Sequence, residues 1–203
     1  PYTTLFRSDR PTPCPPMSVG ALAEHLVMAL RRVALAGRDV PLAEWPIDAA
    51  DVAAGTWGKT TSSALLSFIL KEAGWSPSYF TGGLSLSHES GALSGSDWSV
   101  VEGDEYQAAI WDKRPKFAFY SPTHLLLTSV VWDHADLYPT EEAYTATFRT
   151  LVERIPASGL LVVCADNTGA MSAATGAQCR TVTYGKKTGV DYRFHDESFS
   201  DQG

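Results

Sequence analysis

The sequence predicts an α/β domain, a mostly parallel sheet with helices on both faces, and three features predict it. Short apolar runs alternate with stretches of helical spacing along most of the 203 residues. Residues 53–61, AAGTWGKTT, place a glycine-bracketed turn between a strand and a helix. Two further strands, within DWSVVEGD and HLLLTSVVW, run out into VEGDEY and WDHAD, where carboxylates and a histidine follow the last apolar residue.

The elements follow in chain order. Residues 9–17, DRPTPCPPM, are proline-rich and irregular. Leu22, Leu26, Ala29 and Leu30 give residues 20–32 helical spacing, and RRVALAG (31–37) reads as a short buried strand. Two prolines make 38–50 a connection. DVAAG (51–55) is a second strand ending in glycine, so it competes with 31–37 for the place before the turn, and residues 38–54 look like an insertion. A helix from about Thr60 to Ala73, a strand near Ser78–Thr81 and a Gly/Ser-rich loop over 82–96 come next. Strand 97–104 precedes extended runs in KFAFY and HLLLTSVVW. Thr140 is placed to cap a helix over 140–155 whose first turn carries Glu141 and Glu142. GLLVVCAD (159–166) is a buried strand, with shorter ones at 179–184 and 191–195.

Composition narrows the function. A net charge of -7 argues against nucleic-acid binding, which needs clustered Lys and Arg on phosphates. The most apolar stretch, 18–37, is interrupted by Glu24, His25, Arg31 and Arg32, which suits an amphipathic helix and neither a membrane span nor a secretory leader. Three cysteines without paired spacing fit a reducing compartment, so the expected location is cytoplasmic. Residues 1–8, PYTTLFRS, match the translation of a sequencing-adapter end and are expected to be an artefact.

The turn carries the chemistry. Gly55, Thr56, Trp57, Gly58, Lys59, Thr60 and Thr61 match the second half of a phosphate-binding loop, with Ala53 where the first glycine of the general motif would fall. Glycines let successive N–H groups converge on a phosphate, and the following helix aims its positive end there. Lys59 is spaced to reach the β- and γ-phosphates, and the Thr60 hydroxyl to ligate Mg²⁺. Glu102, Asp104 or Glu105 offers a further metal ligand, and Asp133, His134 and Asp136 fall on the same rim. Taken singly, each feature also fits a blander role: a Gly-rich turn with a surface lysine, a solvated acidic loop, a hydrogen-bonded histidine.

GTWGKTTSS, VVEGDEYQAAIWDKRPKFAFYSP and WDHADLYPT together resemble the central ATP-binding domain of the Mur ligases, over about residues 51–203. The middle stretch looks most like the murein peptide ligase branch. The resemblance implies an ATP-dependent amide-forming ligase of peptidoglycan recycling. Such an enzyme joins L-alanyl-γ-D-glutamyl-meso-diaminopimelate to UDP-N-acetylmuramate through an acyl phosphate, with ATP and Mg²⁺ as cofactors. It implies that Lys59 binds phosphate, that Thr60, Glu102 and His134 ligate metal, and that Lys59 and His134 are catalytic. Trp57, Gln107 and Ser129 depart from the pattern, and the Trp57 indole is expected to cover the loop or pack toward the substrate crevice. Residues 9–50 are then a remnant of the N-terminal region, and a UDP-binding domain before the chain and an amino-substrate domain after it are expected. The isolated chain is therefore expected to lack ligase turnover. The alternatives are the L-alanine-adding ligase, folylpolyglutamate synthetase, a P-loop NTPase or kinase, and a non-catalytic nucleotide-binding remnant.

Overall fold

The computed structural model describes residues 50–83, 90–94, 96 and 98–194. The expected helix at 20–32, the strand at 31–37 and the connection at 38–49 lie outside the described residues, as do 84–89 and 195–203. Among the described residues the sheet has eight strands. From one edge they are β10 (Tyr192–Arg193), β9 (Arg180–Gly185), β8 (Leu160–Cys164), β7 (Pro122–Leu127), β1 (Ala50–Ala54), β4 (Ser99–Gly103), β2 (Ser78–Phe80) and β3 (Gly91–Ala92). All neighbours are parallel except β2 and β3, so the expected parallel sheet is observed.

β1 is the strand that feeds the turn, and it occupies the middle of the sheet. Residues 50–54 are thus part of the central strand rather than of an insertion. The chain builds β2, β3 and β4 on one side of β1 and then crosses to build β7, β8, β9 and β10 on the other. That reversal opens a crevice at the carboxyl ends of β1, β4 and β7, where ligands of such sheets bind.

Side-chain alternation sorts the core onto two faces. Val52, Ala54, Leu125, Leu127, Leu161 and Val163 face one way, toward Tyr144, Phe148, Leu151 and Val152 of α2 (Glu141–Glu153) and Ala170 and Ala173 of α3 (Thr168–Ala174). Ala53, Leu126, Val162 and Cys164 face the other way, toward Leu65, Leu66 and Ile69 of α1 (Lys59–Glu72). Helices therefore cover both faces, as the sequence predicts. α2 starts where expected: the Thr140 hydroxyl accepts the Ala143 N–H at 3.1 Å.

Several local expectations are corrected. KFAFY is not extended: Lys116–Phe119 form a 3₁₀ turn, because Phe117 turns inward against the Phe148 ring at 5.4 Å. The β7 strand stops at Leu127 instead of running through Trp132. Beyond it the chain folds onto the turn, with the Thr56 N–H donating to Ser129 O at 2.8 Å and the Val131 N–H to Thr56 Oγ1 at 2.8 Å. The Gly/Ser-rich loop contains the short strand β3. A separate hairpin, β5 (Gln107–Ala109) with β6 (Asp112–Pro115), and helix α3 were not anticipated.

Candidate nucleotide and metal site

Three connections meet at the carboxyl edge of β1, β4 and β7, which are neighbours in the sheet. The first is the turn itself. Gly55 has φ 142° and Gly58 φ 83°, conformations that a side chain resists, and Gly58 is the N-cap of α1 with no side-chain cap. Helix α1 therefore presents its first N–H groups to the crevice, with Lys59, Thr60 and Thr61 in that first turn.

The turn is braced from behind by the β7–α2 connection. Thr56 is buried; its hydroxyl donates to Val131 O at 2.9 Å, accepts the Val131 N–H, and lies 3.0 Å from the Tyr144 hydroxyl. Burial and the nearby Glu105 carboxylate push the Tyr144 phenol well above its ordinary range, so it stays a neutral hydrogen-bonding group. The Thr128 hydroxyl donates to Trp57 O at 2.6 Å, and the Trp57 N–H donates to Ser129 Oγ at 3.1 Å. The Trp57 backbone and the Ser129 side chain are thus joined directly. The Trp57 residue remains about one-third exposed (36%) at the mouth of the turn.

The second connection follows β4. Glu102 is buried, and its two oxygens are both committed: Oε1 accepts the Thr60 hydroxyl at 2.9 Å and Oε2 the Gly82 N–H at 2.6 Å. A Cβ on Gly82 would stand 3.0 Å from Glu102 Oε2, and one on Gly83 2.7 Å from Thr60 Cγ2, so this glycine pair lets the segment after β2 close over Thr60 and Glu102. Hydroxyl and carboxylate oxygens held side by side form a hard donor set of the kind Mg²⁺ takes.

Glu105, three residues on, is 2% exposed and faces Lys59: Nζ lies 2.8 Å from Oε2 and 3.0 Å from Oε1, and also donates to Thr56 O at 3.3 Å. The third connection supplies His134, whose Nε2 lies 3.4 Å from Glu105 Oε1 and whose ring meets Tyr106 edge-on at 4.9 Å. His134 has φ 52°, and its carbonyl accepts the N–H groups of Leu137 and Tyr138, so a tight turn aims the imidazole. The Tyr138 hydroxyl in turn donates to Glu105 O at 2.6 Å.

The residues singled out from sequence therefore fall into two adjacent groups. Thr60 meets Glu102, and Lys59 meets His134 through Glu105. Among the described residues no cluster of three or more His, Cys, Asp or Glu is poised to hold a metal. The sequence offers Glu105 as a possible metal ligand, whereas here it is the hub that pairs with Lys59 and faces His134, and nothing in the sequence marks Tyr138 and Tyr144 as braces. The spacing of the two glutamates in EGDE was visible, but their division between Thr60 and Lys59 depends on how the chain leaves β4. Asp104 and Asp136 stand outside both groups. Burial alone pushes the Asp104 carboxyl up, but the Lys116 ammonium 2.5 Å away and the Tyr106 N–H outweigh it and hold it below its ordinary value.

That last pairing has a pH consequence. A carboxyl depressed in the folded state stabilises the fold above its unfolded value, about pH 4, and the contribution is lost as pH falls through the folded value. Thermal midpoints measured from about pH 6 down to about pH 3 should therefore fall more steeply for the wild type than for Asp104→Asn. Equal slopes would show the pair to be inert.

Comparison with known proteins agrees with this architecture. The family described as the Mur ligase middle domain matches residues 53–203. The UDP-N-acetylmuramate–L-alanine ligase of Kineococcus radiotolerans is 39% identical over 178 residues, covering 85% of this chain and 36% of that protein. The UDP-N-acetylmuramate–L-alanyl-γ-D-glutamyl-meso-2,6-diaminoheptandioate ligase of Escherichia coli is 39% identical over 110 residues, 54% of this chain and 24% of that protein. The crystal structure of the corresponding ligase from Neisseria meningitides superposes with a TM-score of 0.62 at 29% identity, covering 75% of this chain and 53% of that one. The chain spans about a third or less of the length of these two curated relatives. With strand order, turn and rim all in place, the chain belongs to the Mur ligase family and carries its middle domain.

Proposed function

We propose that this domain binds Mg-ATP for an amide-forming ligase that activates the carboxylate of UDP-N-acetylmuramate and joins it to an amine in the cytoplasm. The observation that carries the reading is the meeting of Lys59 and Thr60 with Glu102, Glu105 and His134 on one edge of the sheet. The N–H groups of residues 58–61 face the polyphosphate, and Lys59 neutralises its terminal charge. Thr60 and Glu102 would hold Mg²⁺, and His134, which faces Glu105 on the same rim, would offer a nitrogen donor nearby. When bound, the ion supplies charge neutralisation that lets a carboxylate approach the γ-phosphate. The lactyl carboxylate takes the γ-phosphoryl group with ADP leaving, and the acyl phosphate is then open to attack by the amine, which loses a proton as phosphate leaves.

For the amine we favour the murein tripeptide, on the sequence EGDEYQAAIWDKRPKF that follows β4. L-Alanine is the second reading, supported by the longer similarity to the Kineococcus ligase. Titration calorimetry of the 203-residue chain with Mg-ATP should show binding that Lys59→Ala weakens about 10- to 100-fold. ADP release with UDP-N-acetylmuramate and either amine, measured on any longer reading frame containing this segment, separates the two amines. ATP consumption that needs neither amine would point to a simple NTPase instead.

A further inference from the structure

We propose that Glu105 is a positioning residue for Lys59: a resident counter-ion that holds the ammonium in the crevice and gives it up to the terminal phosphate. The inference rests on the nucleotide reading above, in which Glu105 only joins Lys59 to His134, and it assigns that carboxylate a part in nucleotide binding. Glu105 is almost wholly buried, yet both of its oxygens lie within 3.0 Å of Lys59 Nζ. A buried carboxylate this close to a cation is held there by charge, because neither group alone tolerates the loss of water. The backbone beneath it is fixed as well, since the Tyr138 hydroxyl donates to Glu105 O at 2.6 Å. On its far side Oε1 faces His134 Nε2 at 3.4 Å, so the carboxylate spans the gap between the turn and the third connection.

The lysine cannot keep both partners at full strength. Its reach is set by its place at the first residue of α1, with Nζ also donating to Thr56 O at 3.3 Å. A triphosphate seated on the helix N-terminus brings anionic oxygens to the same ammonium. Glu105 then becomes a like charge beside the phosphate, and Lys59 shifts toward the ligand. The exchange opposes nucleotide binding but keeps the ammonium aimed when the crevice is empty. Removing the carboxylate charge should therefore strengthen ATP binding, the reverse of what the loss of a purely structural ion pair would do.

The test compares wild type, Glu105→Gln and Glu105→Asp as full 203-residue chains, titrated with Mg-ATP after circular dichroism has verified the fold. Glu105→Gln should bind about fivefold more tightly, and Glu105→Asp, which keeps the charge, should stay within about twofold of wild type. Unchanged or weaker binding by a folded Glu105→Gln overturns the assignment alone. No binding by the wild type overturns the nucleotide reading and this inference with it. A crystal structure of the wild type with Mg²⁺ and a non-hydrolysable ATP analogue tests the same point without a variant. Lys59 Nζ should lie on the terminal phosphate, and a lysine still paired with both Glu105 oxygens would overturn the exchange.

Discussion

Gly55→Ala should abolish Mg-ATP binding and destabilise the domain, because the methyl group has no place to go. With φ at 142°, position 55 already lies where an L side chain is strained. The added Cβ would sit 2.2 Å from Thr128 Oγ1, 2.7 Å from Ser129 O and 2.8 Å from Ser129 N. None of these can retreat cheaply. Thr128 Oγ1 is committed to Trp57 O and Ala54 O, and Ser129 O receives the Thr56 N–H. The collision therefore pushes apart the turn and the connection that braces it. A cost of about 3 kcal/mol is expected, with affinity for Mg-ATP reduced about 100-fold or more. Gly74 is the control. It too has a positive φ, 85°, but nothing lies within 4 Å of its would-be Cβ. Gly74→Ala should cost only the left-handed strain, about 1 kcal/mol, and leave affinity unchanged. Urea denaturation and calorimetry on the two variants measure both quantities. Similar losses of affinity at 55 and 74 would show that backbone strain, and not the closeness of Thr128 and Ser129, governs the turn.

The contrast between those glycines bears on what could be read from the sequence. GTWGKTT was legible because its chemistry is local: two glycines, a lysine and a hydroxyl within seven residues define the turn before any tertiary contact forms. The strands around it were legible for a similar reason, since β8, and β7 over Leu125–Leu127, are apolar on both faces and a doubly covered parallel strand reads as a continuous run. The same signal misled beyond Leu127. TSVVW is as β-prone as the strand before it, but past Thr128, whose N–H still donates to Ala54 O of β1, its backbone partners are Thr56 and Asn167, 75 and 37 residues away, and not a neighbouring strand. KFAFY failed likewise, because burial of Phe117 against Phe148 overrode an extended preference.

The site divided along the same line. Lys59, Thr60, Glu102 and His134 could be named from spacing and from resemblance, whereas their sorting into pairs could not. Glu102 lies near the end of β4 and Glu105 three residues on, where the chain has left the strand and bends, and only the bend decides which carboxylate meets the hydroxyl and which the ammonium. Tyr144 and Tyr138 carry no local mark of function. One is a core aromatic of α2 whose hydroxyl happens to reach the turn, 88 residues earlier in the chain. A polar tip on a buried ring is invisible to pattern reading, since the ring alone accounts for its position.

Because the core and the turn are joined through that ring, a deep core substitution tests how far packing reaches into the site. Phe148→Ala removes a fully buried ring that lies 5.2 Å from Tyr144 and 5.4 Å from Phe117. A large-to-small change of this kind costs about 3–5 kcal/mol, the lost transfer of the ring plus the cavity left behind. The pairings of Lys59 and Thr60 do not involve Phe148, and Thr56 keeps both of its bonds to Val131. Affinity for Mg-ATP, measured well below the melting temperature, should therefore fall only about threefold, through the freedom Tyr144 gains. Tyr144→Phe should reproduce that loss of affinity, because it removes the same hydroxyl contact, while costing only about 1 kcal/mol of stability. Denaturation and calorimetry on the two variants thus separate the core's contribution from the site's. A Phe148→Ala protein that loses less than about 1.5 kcal/mol would mean that the helix does not pack on the sheet as described. A Tyr144→Phe protein with unaltered affinity would mean that the hydroxyl does not brace the turn.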